Sequence, residues 1–128
     1  MIRSLKKLFC TKGSKFYGDA IVVLYGVPLK REDDPLRAVK SALLMKRNLI
    51  ELNRRYELPF TIDIGVGIHT GEAIVDNFGS HRRLDFTAFG DNVNLASRVQ
   101  GLNKLFGSTI LMTQATHDLL LPGAELFF

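Results

Sequence analysis

One cysteine, Cys10, stands in 128 residues, and tryptophan is absent. A lone thiol forms no intramolecular disulfide and no structural zinc site by itself, which makes a reducing compartment the default. Long apolar runs are missing too. No window approaches the ~20 residues that a membrane span needs, and the basic start MIRSLKKLFCTKGSK is too broken for a signal-peptide core. The expectation is a cytoplasmic segment without membrane contact, which is compatible with a larger multidomain or membrane-anchored parent. No repeat, low-complexity tract or linker-like run of Pro, Gly or Ser interrupts the chain, so residues 1–128 read as one domain. Carboxylates are scarce at one end: no acidic residue precedes Asp19.

What is present suits a folded domain. Apolar residues make up 46% and charged residues 23%, enough for a core and an ordinary solvated surface. The net charge of +4 is a mild excess that could suit an anionic ligand. It is too small and too scattered along the sequence to indicate nucleic-acid binding.

Periodicity supplies a coarse map. Residues 3–9, RSLKKLF, read as the end of a helix, and Lys12-Gly13-Ser14 as a stop. Lys15–Tyr17 and Ala20–Tyr25 read as strands folded around Gly18-Asp19, a hairpin signal. Asp34 is placed to cap a helix with Pro35 in its first turn, running to about Asn53. Phe60, Ile62, Ile64, Val66 and Ile68 alternate, which predicts a strand with one buried face. GEAIVDNF extends it, and HRRLDFTAFG reads as its hairpin partner. Asp91 or Asn92 caps a second helix ending near Gly107, with Leu95, Val99 and Leu102 assigned to the core. STILMT is a last strand and QATHDLL a short helix. Hairpins alternating with helices predict an α+β sandwich, one mixed or antiparallel sheet with helices packed on it.

Four features could carry chemistry. Asp19 at a hairpin tip is either turn chemistry or a carboxylate held out to take Mg²⁺, whose other positions go to water and phosphate oxygens. Asn94 and Arg98 are four apart and share a helix face. An amide beside a guanidinium fits a sugar and a phosphate ester, or is a solvated polar face. Thr87 alternates with apolar neighbours, as any strand threonine does. His69 and His81 lack an acidic or cysteine partner at a ligand spacing; they read as a strand-end and a loop residue, with Arg82-Arg83 a solvated turn.

Together and in this order, the segments KFYGDAIVVLYGVP, IDIGVGIHTGEAIVDNFGS and RRLDFTAFGDNVNLASR resemble the catalytic domain of the class III nucleotidyl cyclases, the adenylate and guanylate cyclases. The resemblance runs from about Lys15 to Leu120. It implies the adenylate cyclase catalytic-domain fold: a ferredoxin-like palm sheet with helices packed on it, working as a head-to-tail homodimer or paired with another cyclase domain. The reaction implied is ATP to cyclic AMP and pyrophosphate, with two Mg²⁺ or Mn²⁺ ions. By resemblance Asp19 is one of two metal-binding aspartates, Lys15 and Thr87 select the base, Asn94 orients the ribose, and Arg98 stabilises charge on the α-phosphate. Lys with Thr, rather than Glu with a small residue, favours ATP. One subunit supplies the aspartates and the other supplies the four remaining groups.

The sequence departs from that family in three places, one of them the connection CTKGSK, which is shorter than usual. The family's other metal aspartate lies upstream, in a segment like D-I-x-G-F-T; here that first strand is missing. The family's late phosphate-binding lysine has no counterpart either, since no lysine follows Lys104. The expectation is a partial cyclase domain, with an edge of the sheet exposed and part of the core unfilled. Two alternatives are a cyclase-like regulatory module that pairs with a complete catalytic subunit, and a different palm-fold enzyme such as a diguanylate cyclase. YGDAI does not match the latter's Gly-Gly-Asp/Glu-Glu-Phe tip. The purified chain is predicted to make little or no cyclic AMP; measurable product that Asp19→Ala abolishes would contradict this.

Overall fold

A computed structural model describes residues 2–6, 14–17, 20–27, 29–78 and 85–120. The elements run β1 (Ile2–Lys6), β2 (Ser14–Tyr17), β3 (Ala20–Leu24), α1 (Asp34–Arg55), β4 (Val66–His69), β5 (Ile74–Phe78), β6 (Asp85–Phe89), α2 (Asp91–Phe106), β7 (Ile110–Met112) and α3 (Gln114–His117). The main sheet has the order β2-β3-β1-β4-β7, antiparallel except that β7 runs parallel to β4. A separate two-stranded ribbon pairs β5 with β6. The α+β expectation holds.

The first turn of the chain does not. Residues 3–6, expected at a helix end, are extended and lie between β3 and β4, with Leu5 opposite Ile21 on one side and Val66 on the other. Pairing on both edges outweighs a local pattern that also suits a helix. Ile2–Lys6, which carries no carboxylate, lies inside the sheet, so the position expected to be open is filled. The β2–β3 hairpin forms as expected, with Tyr17 opposite Ala20; Gly18 and Asp19 lie outside the described residues.

The strand expected over Phe60–Ile68 is shorter and is buried on both faces. Only Val66–His69 is strand, and all four residues are buried. Ile64, Val66 and Ile68 pack with Ala38, Val39, Ala42 and Leu49 of α1. The alternate positions, Gly65 and Gly67, face α2. A Cβ on Gly67 would collide with the backbone of Ala96 and Gln100, and one on Gly65 would lie 2.6 Å from the Gln100 side chain. Successive strand residues point to opposite faces, so α1 and α2 cover opposite sides of the sheet. Phe60 is 64% exposed. Asn53 instead holds the connection, accepting from the Ile62 N–H at 3.0 Å and donating to the Ile62 carbonyl at 2.7 Å.

Helix starts also differ from expectation. Asp33 is the N-cap residue of α1, and neither it nor Asp34 makes a side-chain cap bond. The Asp34 carboxylate, 2% exposed, accepts from the Arg31 N–H at 2.7 Å and so ties down the preceding loop. Gly90 caps α2 at φ 124°, and Gly107 ends it at φ 62°, both left-handed values that glycine tolerates. Leu95 and Leu102, assigned to the core, are 37% and 42% exposed; Ala96, Val99 and Asn103 are the buried residues of α2. Small residues are what a helix pressed against a glycine strand can bury.

Gly67→Ala should therefore cost about 1–3 kcal/mol, because the obstruction is backbone and cannot swing away. Gly101→Ala, on the same helix with nothing within 4 Å of a new Cβ, should stabilise by about 0.5–1 kcal/mol. Urea unfolding midpoints of the two variants measure the contrast.

Candidate active site

The five sequence candidates fall on three neighbouring elements and one tip. Asn94 and Arg98 both lie exposed on α2. Thr87 is in β6, opposite Asp76 of β5. Lys15 is in β2, the outer strand of the main sheet, opposite Val22. β2 and β6 run within 8 Å of each other at the Cα level, and β6 leads into α2 through Gly90 alone. The strands of Lys15 and Thr87 and the helix of Asn94 and Arg98 are thus contiguous. Asp19 belongs to the β2–β3 tip, outside the described residues, as is His81.

The position of α2 is set by polar groups at both ends. At its C-terminal end, Asn103 is 4% exposed. Its Nδ2 donates to the Val66 carbonyl at 3.0 Å and to the Gln100 carbonyl at 2.9 Å, while Oδ1 accepts from Ser108 Oγ at 2.9 Å. At its N-terminal end, Asn92 Nδ2 donates to the Glu72 carbonyl at 2.6 Å. That bond orients the amide, so Asn92 Oδ1 accepts from His69 Nε2 at 2.9 Å. His69, 6% exposed, ends β4 as expected, and its Nδ1 pairs with Thr113 Oγ1 at 2.8 Å. Thr116 Oγ1, fully buried, lies 3.0 Å from Thr70 Oγ1. The network joins the end of β4, the first turn of α2 and the start of α3. A buried polar group without a partner is costly, so each member constrains the next.

Sequence reasoning missed these roles. The sequence pattern offers Asn92 only as a cap and gives Asn103 no role. The one signal available was an asparagine at an otherwise core-facing helix position, Asn103, four residues after Val99.

Metal binding has a thin donor set. Among the described residues no group of three or more His, Cys, Asp or Glu could hold a metal ion. The central strand, Ile2–Lys6, carries no carboxylate. The sequence candidate Asp19 lies outside the described residues; a single carboxylate suits one Mg²⁺ completed by water and phosphate oxygens.

The family model for the adenylate and guanylate cyclase catalytic domain matches residues 3–127, and the chain belongs to this family. It is 36% identical over 104 residues to adenylate cyclase 1 of Rhizobium meliloti, covering 79% of this chain and 16% of that protein. It is 39% identical over 105 residues to the terminal-differentiation-specific adenylate cyclase of Dictyostelium discoideum, covering 81% of this chain and 5% of that protein. Among solved structures, the adenylyl cyclase CyaB from P. aeruginosa superposes with a TM-score of 0.69 at 32% identity, over 83% of this chain and 56% of that one. The guanylyl cyclase Cya2 gives 0.68 at 34% identity, over 82% and 53%. The chain thus spans a small part of the curated relatives and about half of the solved domains.

The network at the start of α2 can be measured directly. His69→Ala and Asn92→Ala should each cost about 1–3 kcal/mol, since each leaves a polar partner unpaired. The double variant should cost clearly less than their sum, with a coupling of about 0.5–3 kcal/mol, read from urea unfolding of all four proteins.

Proposed function

We propose that this chain supplies the nucleotide-recognising half of an adenylate cyclase active site, and that its reaction is ATP to cyclic AMP and pyrophosphate. The observation that supports this reading is the contiguity of β2, β6 and α2, the elements that carry Lys15, Thr87, and Asn94 with Arg98. Membership of the cyclase family and the adenylate cyclase names of the curated relatives support the reaction class. Lys15 with Thr87, the residue pair associated with adenine, supports ATP over GTP. The setting proposed is cytoplasmic.

In this reading Lys15 and Thr87 hydrogen-bond the purine edge and so choose the base. Asn94 holds the ribose so that its 3′-hydroxyl faces the α-phosphate. Arg98, one turn further along the same face, places a guanidinium where negative charge grows in the transition state. The fixed position of α2 matters here, because a displaced donor loses most of its effect. Asp19 would hold a divalent cation, Mg²⁺ or Mn²⁺, which when bound activates the hydroxyl and neutralises phosphate charge. Asp19 serves the opposite site of a head-to-tail dimer, which answers why a hairpin carries both a lysine and a carboxylate.

A second reading rests on the carboxylate-free central strand. In it the chain is a module that lends Lys15, Thr87, Asn94 and Arg98 to a partner's metal-bearing half. One assay tests both readings, and cyclic AMP from the chain alone would favour the first. Cyclic nucleotide formation is measured with Mn²⁺ and ATP, with GTP in parallel. The chain is tested alone and mixed with a complete class III cyclase whose own arginine at the Arg98-matching position is replaced. Cyclic AMP only in the mixture, reduced about 10²–10³-fold by Arg98→Ala, is the expected result. Absence of product in a mixture that demonstrably associates would overturn both readings.

A further inference from the structure

Helix α1 concentrates the charge of the whole molecule. It holds Arg37, Lys40, Lys46, Arg47, Arg54 and Arg55 against Asp34 and Glu51, six cations to two anions. That excess of four equals the net charge of the full chain, +4; the other 106 residues balance, with eleven of each sign. Along the sequence the excess looks scattered, but the fold gathers it.

It also aims it. Ala38, Val39, Ala42 and Leu49 face the sheet and are buried. Arg37, Lys40, Leu44, Arg47, Glu51 and Arg54 follow at alternating steps of three and four and are all exposed. Such spacing forms one straight ridge on a helix, here about 26 Å long from Arg37 to Arg54. The acids blunt it in part: Asp34, buried against the loop, pairs with Arg37 at the ridge's first turn at 3.7 Å, and the pair of Arg54 with Glu51, at 3.4 Å, is between side chains 80% and 56% exposed, where ion pairs are weak.

The ridge does not end in polar residues. Tyr56, Leu58 and Phe60 follow Arg54 and Arg55 at once and are 56%, 40% and 64% exposed, and Leu44 is 56% exposed in mid-ridge. Aromatic and aliphatic side chains beside basic ones are what an interfacial, anionic lipid surface takes up: lysine and arginine reach the headgroups and the rings enter the boundary. A nucleic-acid backbone would satisfy the cations but leave Leu44 and Leu58 in water.

We propose that the outward ridge of α1, with Tyr56, Leu58 and Phe60, is a peripheral docking surface for anionic lipid bilayers. No helix among the described residues is long and apolar enough to cross a membrane; surface docking needs none, and it departs from the sequence expectation of no membrane contact. Because α1 and α2 cover opposite faces of the sheet, docking through α1 leaves Asn94 and Arg98 open. The inference does not depend on the proposed reaction.

The test is co-sedimentation of the 128-residue chain with vesicles of phosphatidylcholine alone or with 30% phosphatidylserine, at about 50 and 300 mM salt. Binding that needs phosphatidylserine and falls with salt is expected. Arg47→Glu/Arg54→Glu should lower the partition coefficient about tenfold or more. Tyr56→Ser/Phe60→Ser should lower it by a smaller factor that persists at high salt. Arg47→Gln/Arg54→Gln should fall between wild type and the charge reversal, and it reads the same term if the reversal fails to fold. Equal binding to neutral vesicles, no binding at low salt, or full binding by the folded arginine variants would overturn the proposal. Preferential binding of duplex DNA over the anionic vesicles would overturn it too.

Discussion

Everything near the candidate site depends on how closely α2 lies on β4. Gly65 and Gly67 remove the side chains that would hold the helix away, and Ala96 offers no bulk in return. Dispersion gains from such contact are small per atom pair and large in sum. The cost is that Val99 is the one large apolar side chain α2 buries, so register leans on directional bonds. Asn103 and the Asn92–His69–Thr113 chain provide them at the two ends of the helix. A helix clamped this way presents Asn94 and Arg98 at a defined height, as a preorganised electrostatic site requires.

The two faces of the sheet are therefore built differently. The α1 face is an ordinary hydrophobic core, with Ile64, Val66 and Ile68 meeting Ala38, Val39, Ala42 and Leu49. It tolerates conservative exchange as cores of matching volume do. The α2 face is a glycine seam with polar clamps and tolerates little. The division leaves α1 free to vary its outer surface, and that surface holds the charge excess. The proposed nucleotide site and the proposed lipid-docking surface lie on opposite sides of the sheet, so the two proposals do not conflict.

Much of this was legible in order and type. The hairpin at Lys15–Tyr25, the helix after Asp33 and the helix after Gly90 follow from turn residues and apolar spacing, which are local properties. Legibility failed where a tertiary neighbour decided. Residues 3–6 are compatible with a helix end and become a strand because β3 and β4 each have an edge to satisfy. Leu95 and Leu102 match a buried stripe, yet the glycine seam rotates α2 so that Ala96 and Asn103 take the inside. Asn92 fits a cap and instead bonds across to β4.

By itself the sequence determined the family and the α+β class, and it nominated Asp19, Lys15, Thr87, Asn94 and Arg98 as the candidate site residues. These rest on side-chain chemistry and on short-range spacing, both carried by the chain wherever it goes. Tertiary structure alone decided that β2, β6 and α2 adjoin, that the central strand bears no carboxylate, and that the charge excess forms one ridge. Such facts depend on which distant segments meet, and a linear pattern holds no term for that until burial and hydrogen-bond satisfaction select the partners.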